Sequence, residues 1–149
     1  MPGPYLTAGR AIMTVGNLFY TIGAFAADWN ETHIYNPRWP PHARFHNGQT
    51  MSLGVLLAVF SLTYVWRPAF MKLSAKEVKE SVWVSAVVGS FYCAAGCSAI
   101  LYPGANWFDP EHSREGLVQG PVFAMVVGLM WVGYWLEGRR VDGAKGKLT

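Results

Sequence analysis

QTMSLGVLLAVFSLTYVW, residues 49–66, holds no charged side chain from end to end. As an α-helix with a rise of about 1.5 Å per residue it is about 27 Å long, close to the ~30 Å of a bilayer's hydrocarbon core. Working outward, residues 7–27, 82–101 and 118–136 read the same way. In lipid each backbone polar group must be bonded within the segment. The expectation is therefore an all-α fold, a four-helix transmembrane bundle forming a single integral membrane domain over residues 1–149. The first span carries Arg10 near its start, but it is too long for a signal peptide and three more spans follow, so it reads as a signal anchor.

Composition agrees with this. The chain is 52% hydrophobic and 14% charged, against roughly 25% charged in an average soluble protein. Nine of the twelve lysines and arginines fall in the first span, the middle loop and the C-terminal tail, which share one side of a four-span bundle; Arg38, Arg44 and Arg114 remain on the other. Basic residues mark the cytosolic side. Both termini are expected there, with the first and third loops outside. On this reading the basic residues, Arg10 included, are topology signals and solvated anchors. No basic, aromatic-studded groove tracks a phosphate backbone, so no nucleic-acid partner is expected. The localisation is multi-pass membrane, the endoplasmic reticulum in a eukaryotic cell.

Local signals place the helix ends. Arg67-Pro68 reads as the end of the second helix, and Ser74 followed three residues later by Glu77 is a capping box for the third. Gly23, Gly54, Gly89, Gly96, Gly128 and Gly133 are spaced for close helix approach. Aromatic residues at the span ends, among them Tyr20, Trp29, Trp66, Trp83, Trp131 and Trp135, suit interfacial belts. Cys93 and Cys97 lie one turn apart without the C-x-x-C spacing of a redox pair, and read as small packing residues.

The chemistry lies in the outer loops. They hold all four histidines (His33, His42, His46, His112) and five of the nine carboxylates (Asp28, Glu31, Asp109, Glu111, Glu115), while the middle loop is built from lysine. Within DWNETHIYNPRWPPHARFHNGQT, residues 28–50, Pro40-Pro41 suits the first turn of a helix. A helix starting there sets His42 and His46 on one face, with Gln49 and Thr50 following into the bundle and Arg44 pointing elsewhere. Asp28, Glu31 and His33 stand opposite, where the first span ends. Trp29 and Trp39 supply aromatic walls. Asn17, deeper in the first span, reads equally as hydrogen-bonding glue and as pocket lining. Asn30-Glu31-Thr32 is formally an N-glycosylation sequon.

Carboxylates beside imidazoles over an apolar floor suit general acid–base work. A dry environment raises the pKa of a carboxyl group, a neighbouring arginine lowers it, and imidazole titrates near neutrality. His42-x-x-x-His46 also has the spacing of metal ligands on a helix, with Asp28, Glu31, His33 or His112 available to complete a shell. Such a pair arises often by chance, however, and four histidines fall short of the histidine boxes of membrane di-iron enzymes. Neither a metal nor a cofactor is expected.

The segment DWNETHIYNPRWPPHARFHNGQ in a four-span chain resembles a group of small integral membrane proteins of fungi and some bacteria, some encoded in fungal natural-product clusters. The resemblance covers the first two spans and their loop, and the remainder by hydropathy. It implies company with small membrane enzymes that open epoxides or cyclise polyketides and terpenoids by acid and base catalysis. It also implies partner enzymes of a biosynthetic pathway, and it carries over no particular catalytic residue.

The expectation is thus an acid–base membrane enzyme for a lipophilic substrate, favoured as an epoxide hydrolase or epoxide-opening cyclase in secondary metabolism. The catalytic candidates are Asp28, Glu31, His33, His42, Arg44 and His46. Substrate-binding candidates are Asn17, Trp29, Trp39, Gln49, Glu111 and His112. Asp28 or Glu31 would activate water, and His42 or His46, aided by Arg44, would protonate or orient the leaving oxygen. A double-bond isomerase, a lipid-binding or transport protein, and an accessory subunit would use the same loops and stay open as alternatives.

Overall fold

The computed structural model describes residues 6–108 and 118–145 and contains no strand among them. Four helices make up the described residues: α1 (Ala8–Asp28), α2 (Pro41–Phe70), α3 (Ala75–Ala99) and α4 (Gln119–Lys145). Each packs on its neighbour in sequence, α4 closes back on α1, and α1 also touches α3 across the middle. Neighbours run antiparallel, since Asp28 meets Asn47, Tyr64 meets Ser81, Lys79 meets Asp142 and Thr7 meets Glu137. The start of α1, the α2–α3 turn and the end of α4 therefore gather at one end, the base. The α1–α2 loop lies at the other end, the lip. By length and composition α2, α3 and α4 are apolar enough to cross a membrane. Helix α1, interrupted by Arg10 and Asn17, is not among these three.

The helix boundaries follow local chemistry. Thr7 caps α1 by accepting from the Arg10 backbone N–H at 3.3 Å. The Ser74–Glu77 capping box forms as expected, with both of its reciprocal bonds present. Helix α2 outruns the apolar stretch at both ends, starting at Pro41 and passing through Pro68 to Phe70. The expected stop at Pro68 does not occur. A proline inside a helix orphans the carbonyl four residues back, here that of Tyr64, and the Ser81 hydroxyl of α3 donates to that oxygen at 3.0 Å. With its acceptor satisfied, the last turn survives.

The interior holds two apolar clusters, one around Met13, Val65, Val82, Ala86 and Met130, the other around Tyr20, Ala58, Cys93 and Val126. Buried polar groups accompany them and bond within the bundle. The Asn17 amide donates to the Met13 carbonyl at 2.8 Å, and the Ser61 and Ser85 hydroxyls lie 2.9 Å apart. Asn17 is therefore interior glue and not a substrate contact at the lip. Tyr20 departs from the interfacial belt as well: it is buried and stacks on Tyr92 at 5.2 Å. Cys93 fills space in the second cluster as a free thiol. Of the six glycines singled out, Gly54, Gly89, Gly96 and Gly133 lie where a Cβ would press on a neighbouring helix, whereas Gly23 and Gly128 face open space.

The closest helix contact joins α1 to α4. A Cβ on Gly9 would stand 2.6 Å from the Gly133 carbonyl oxygen and 2.9 Å from the Glu137 backbone nitrogen. That proximity brings Arg10, 2% exposed, to Glu137, 0% exposed, with guanidinium and carboxylate 3.2 Å apart. The Thr7 hydroxyl donates to the other carboxylate oxygen at 2.7 Å, and Arg140 reaches Glu137 Oε1 from the same helix at 2.8 Å. Arg10 is thus no solvated anchor. A guanidinium drawn inside this far is tolerated only against a carboxylate, and Glu137 supplies it.

Candidate functional site at the lip

The α1–α2 loop is a compact knot of side-chain-to-backbone bonds. The Asn30 amide donates to the freed carbonyl of Ala27 at 2.8 Å, and its oxygen accepts from the Thr32 N–H at 2.8 Å and from the Thr32 hydroxyl at 2.6 Å. The sequon asparagine is thereby spent on ending α1 and turning the chain. Asn36, 5% exposed, donates to the Thr32 carbonyl at 3.2 Å and accepts from the Arg38 N–H at 3.0 Å. Its own carbonyl takes a bond from Arg44 Nη2 at 2.7 Å. Arg44, read from the sequence as pointing away, in fact ties α2 to the loop. The Trp29 indole donates to the Tyr35 hydroxyl at 2.7 Å.

Asp28 occupies the junction of helix and loop. Its Oδ2 accepts from the Asn47 amide of α2 at 2.9 Å, and its Oδ1 lies 3.8 Å from His33 Nε2. The other ring nitrogen of His33 is 2.6 Å from the Thr32 hydroxyl, and Trp39 packs edge-on against the imidazole with ring centroids 5.0 Å apart. Hydroxyl, imidazole and carboxylate thus stand in a row, Thr32–His33–Asp28. Both ends of the acid–base pair keep contact with solvent, at 27% side-chain exposure for His33 and 17% for Asp28.

Next to this row an open groove of about 500 Å³ runs between α1 and α2. Phe25, Trp29, Phe45 and Met51 form its apolar walls, and Arg44 and Gln49 supply polar atoms. Phe25 and Trp29 stack on each other at 6.0 Å. Arg44 Nε is buried beneath the groove and has no hydrogen-bond partner among the described residues.

The sequence-derived candidates separate here. Asp28, His33, Arg44, Trp29, Trp39 and Gln49 gather around the loop and groove. His42 and His46 do not run into the bundle; both are exposed, with Gln49 and Thr50, on the outward face of α2. The reason is helical phase: Met51, Gly54, Ala58, Ser61 and Val65 point inward, and extending that stripe backwards reaches Asn47 and Arg44, not the histidines. Glu31 is exposed on the loop. Glu111 and His112 lie outside the described residues. Among the described residues no three His, Cys, Asp or Glu side chains converge as a metal shell, so Asp28, Glu31 and His33 do not complete one with His42 and His46. Sequence reasoning missed Asn47, whose partnership with Asp28 follows from the same inward stripe, and Asn36, the buried hub of the loop.

No curated protein and no solved structure matches the chain. A family does: the match runs from residue 12 to residue 147, through all four helices and the lip, and the chain belongs to the family of unknown function DUF6640.

Proposed function

We propose that this is a multi-pass membrane enzyme that works on a lipophilic substrate by acid–base chemistry at the lip, with α1 as a fourth span and both termini cytosolic. The observation that carries the reading is the adjacency of an aromatic groove to the Asp28–His33 pair: Phe25 and Trp29 flank Asp28 in sequence, and Arg44 and Gly48 flank its partner Asn47. The groove accepts the apolar body of a substrate and leaves its reactive oxygen at the wet rim. Epoxide opening, by water or by ring closure, suits the groups available. Asp28 takes a proton from the attacking water, and His33 beside it relays that proton to solvent. Arg44 does not give up a proton at all; its positive charge at the groove stabilises the departing oxygen until water protonates it. The products of biosynthetic partner enzymes would be the substrates, and in a eukaryotic cell the endoplasmic reticulum the site.

Turnover of lipophilic epoxides by purified wild type and by Asp28→Asn at matched expression tests this. Loss of diol or cyclised product in the variant is expected, and equal rates would remove Asp28 from the chemistry. A second reading, lipid binding without chemistry, is favoured by the apolar walls of Phe25, Trp29, Phe45 and Met51. Lipid recovered unchanged from the protein, with no epoxide turnover, would decide for it.

A further inference from the structure

The outward face of α2 carries a second cluster, which borders the groove at Gln49. His42 and His46 bring their Nε2 atoms to 3.0 Å, with ring centroids 4.4 Å apart and planes inclined at 76°. An end-on N–H···N hydrogen bond of this length would hold the centroids roughly 5 Å apart or more, because such bonds prefer to be straight. The rings lean together instead, and both nitrogens converge to one side. Two imidazoles about 2.0–2.1 Å from a common ion and 3.0 Å from each other subtend roughly 90–100° at it. Those are neighbouring corners of a square or an octahedron, whereas a tetrahedral ion would hold them about 3.4 Å apart. His46 Nδ1 lies 3.2 Å from Gln49 Oε1, a contact that forms a hydrogen bond in the tautomer with its hydrogen on Nδ1. An amide oxygen only accepts, so Nδ1 carries the hydrogen and the Nε2 lone pair is left for a ligand.

We propose that His42 and His46 form a two-imidazole site for a divalent ion of the copper(II) or nickel(II) type, with Gln49 as the residue that positions His46. Water or an oxygen ligand from outside fills the remaining corners, since no third carboxylate, thiol or imidazole joins the pair among the described residues. Both rings are exposed, so the ion needs no path through the protein. The start of a helix opposes a cation, but at an exposed position this amounts to about a two- to five-fold loss of affinity, small against the gain from a second chelating ring. Among divalent ions copper(II) binds nitrogen donors most tightly.

The test is titration of the detergent-solubilised full chain with copper(II) sulfate, read by a competing chelator and by electron paramagnetic resonance. One copper per chain is expected, with the nitrogen splitting of two imidazoles and weaker binding of nickel and zinc. His42→Ala and His46→Ala should each weaken binding by about tenfold or more, and Gln49→Leu by a few-fold, in line with the loss of an outer-shell partner. Asp28→Asn should bind copper like wild type, which separates this site from the chemistry proposed above. Copper held equally well by the His42→Ala/His46→Ala double variant, or a spectrum with a single imidazole, would overturn the proposal.

Discussion

At the base of the bundle Glu137 is wholly buried, with both carboxylate oxygens bonded to Thr7, Arg10 and Arg140. At the lip Asp28 is partly wet, bonded through one oxygen to Asn47 and standing at 3.8 Å from His33 through the other. Both clusters join α1 to a neighbouring helix, and both mix carboxylate with base. The difference is slack. A carboxylate saturated by short bonds in a dry place holds helices together and has nothing left to offer a ligand. One with solvent contact, a loosely held imidazole and a groove alongside can exchange a proton. Burial alone singles out the base, the end opposite the proposed site.

Breaking the base should have the largest effect on the fold. Glu137→Ala strands the Arg10 guanidinium inside, and removing one partner of a buried pair costs about 3–5 kcal/mol. Unfolding in detergent should begin at a clearly lower denaturant concentration, and the apolar replacement Arg10→Met/Glu137→Leu should recover most of the loss. A Glu137→Ala protein as stable as wild type would remove the distinction between the two ends.

At the lip the expected signature is reversed. Asp28→Asn keeps an oxygen for Asn47 but cannot act as a base, so turnover should fall by about 10²-fold or more with no change in the unfolding midpoint. Gly9→Ala sharpens the picture of the base from the packing side: its methyl group meets backbone of α4, not a yielding side chain, and overpacking of this sort costs about 1–3 kcal/mol. Gly128→Ala, which faces open space, should be neutral or stabilising by up to about 1 kcal/mol. Ser81→Ala should cost about 1 kcal/mol for leaving the Tyr64 carbonyl without its donor, a local effect seen as early fraying of the end of α2 in hydrogen exchange.

The helices were legible because their signals are local. An uncharged run, Pro40-Pro41 and the Ser74–Glu77 pair each act within a few residues, and four helices stand close to where these signs put them. Pro68 misled because its cure comes from Ser81, on another helix. Arg10 misled for the same reason at longer range: a charge near a span's start is normally wet, and only the contact of Gly9 with Gly133 brings Glu137 alongside. The lip was half legible. Its residue types announced acid–base chemistry, but the phase of α2 decided which side chains share a wall, and that phase is fixed deep in the bundle by Met51, Gly54 and Ala58. Carried back to residues 44 and 47, this stripe would have chosen Arg44 and Asn47 over His42 and His46.

The distance along the chain between the partners at the base also sets an order of events during synthesis. Thr7 and Glu137 are 130 positions apart, so at roughly 5–20 residues per second a ribosome needs on the order of 6–26 s to deliver the carboxylate after it has made Thr7. Through that interval the Arg10–Glu137 pair cannot form. The seam between α1 and α4 therefore closes after every other helix contact has had its chance to form, which makes the first segment made the last to be locked in place.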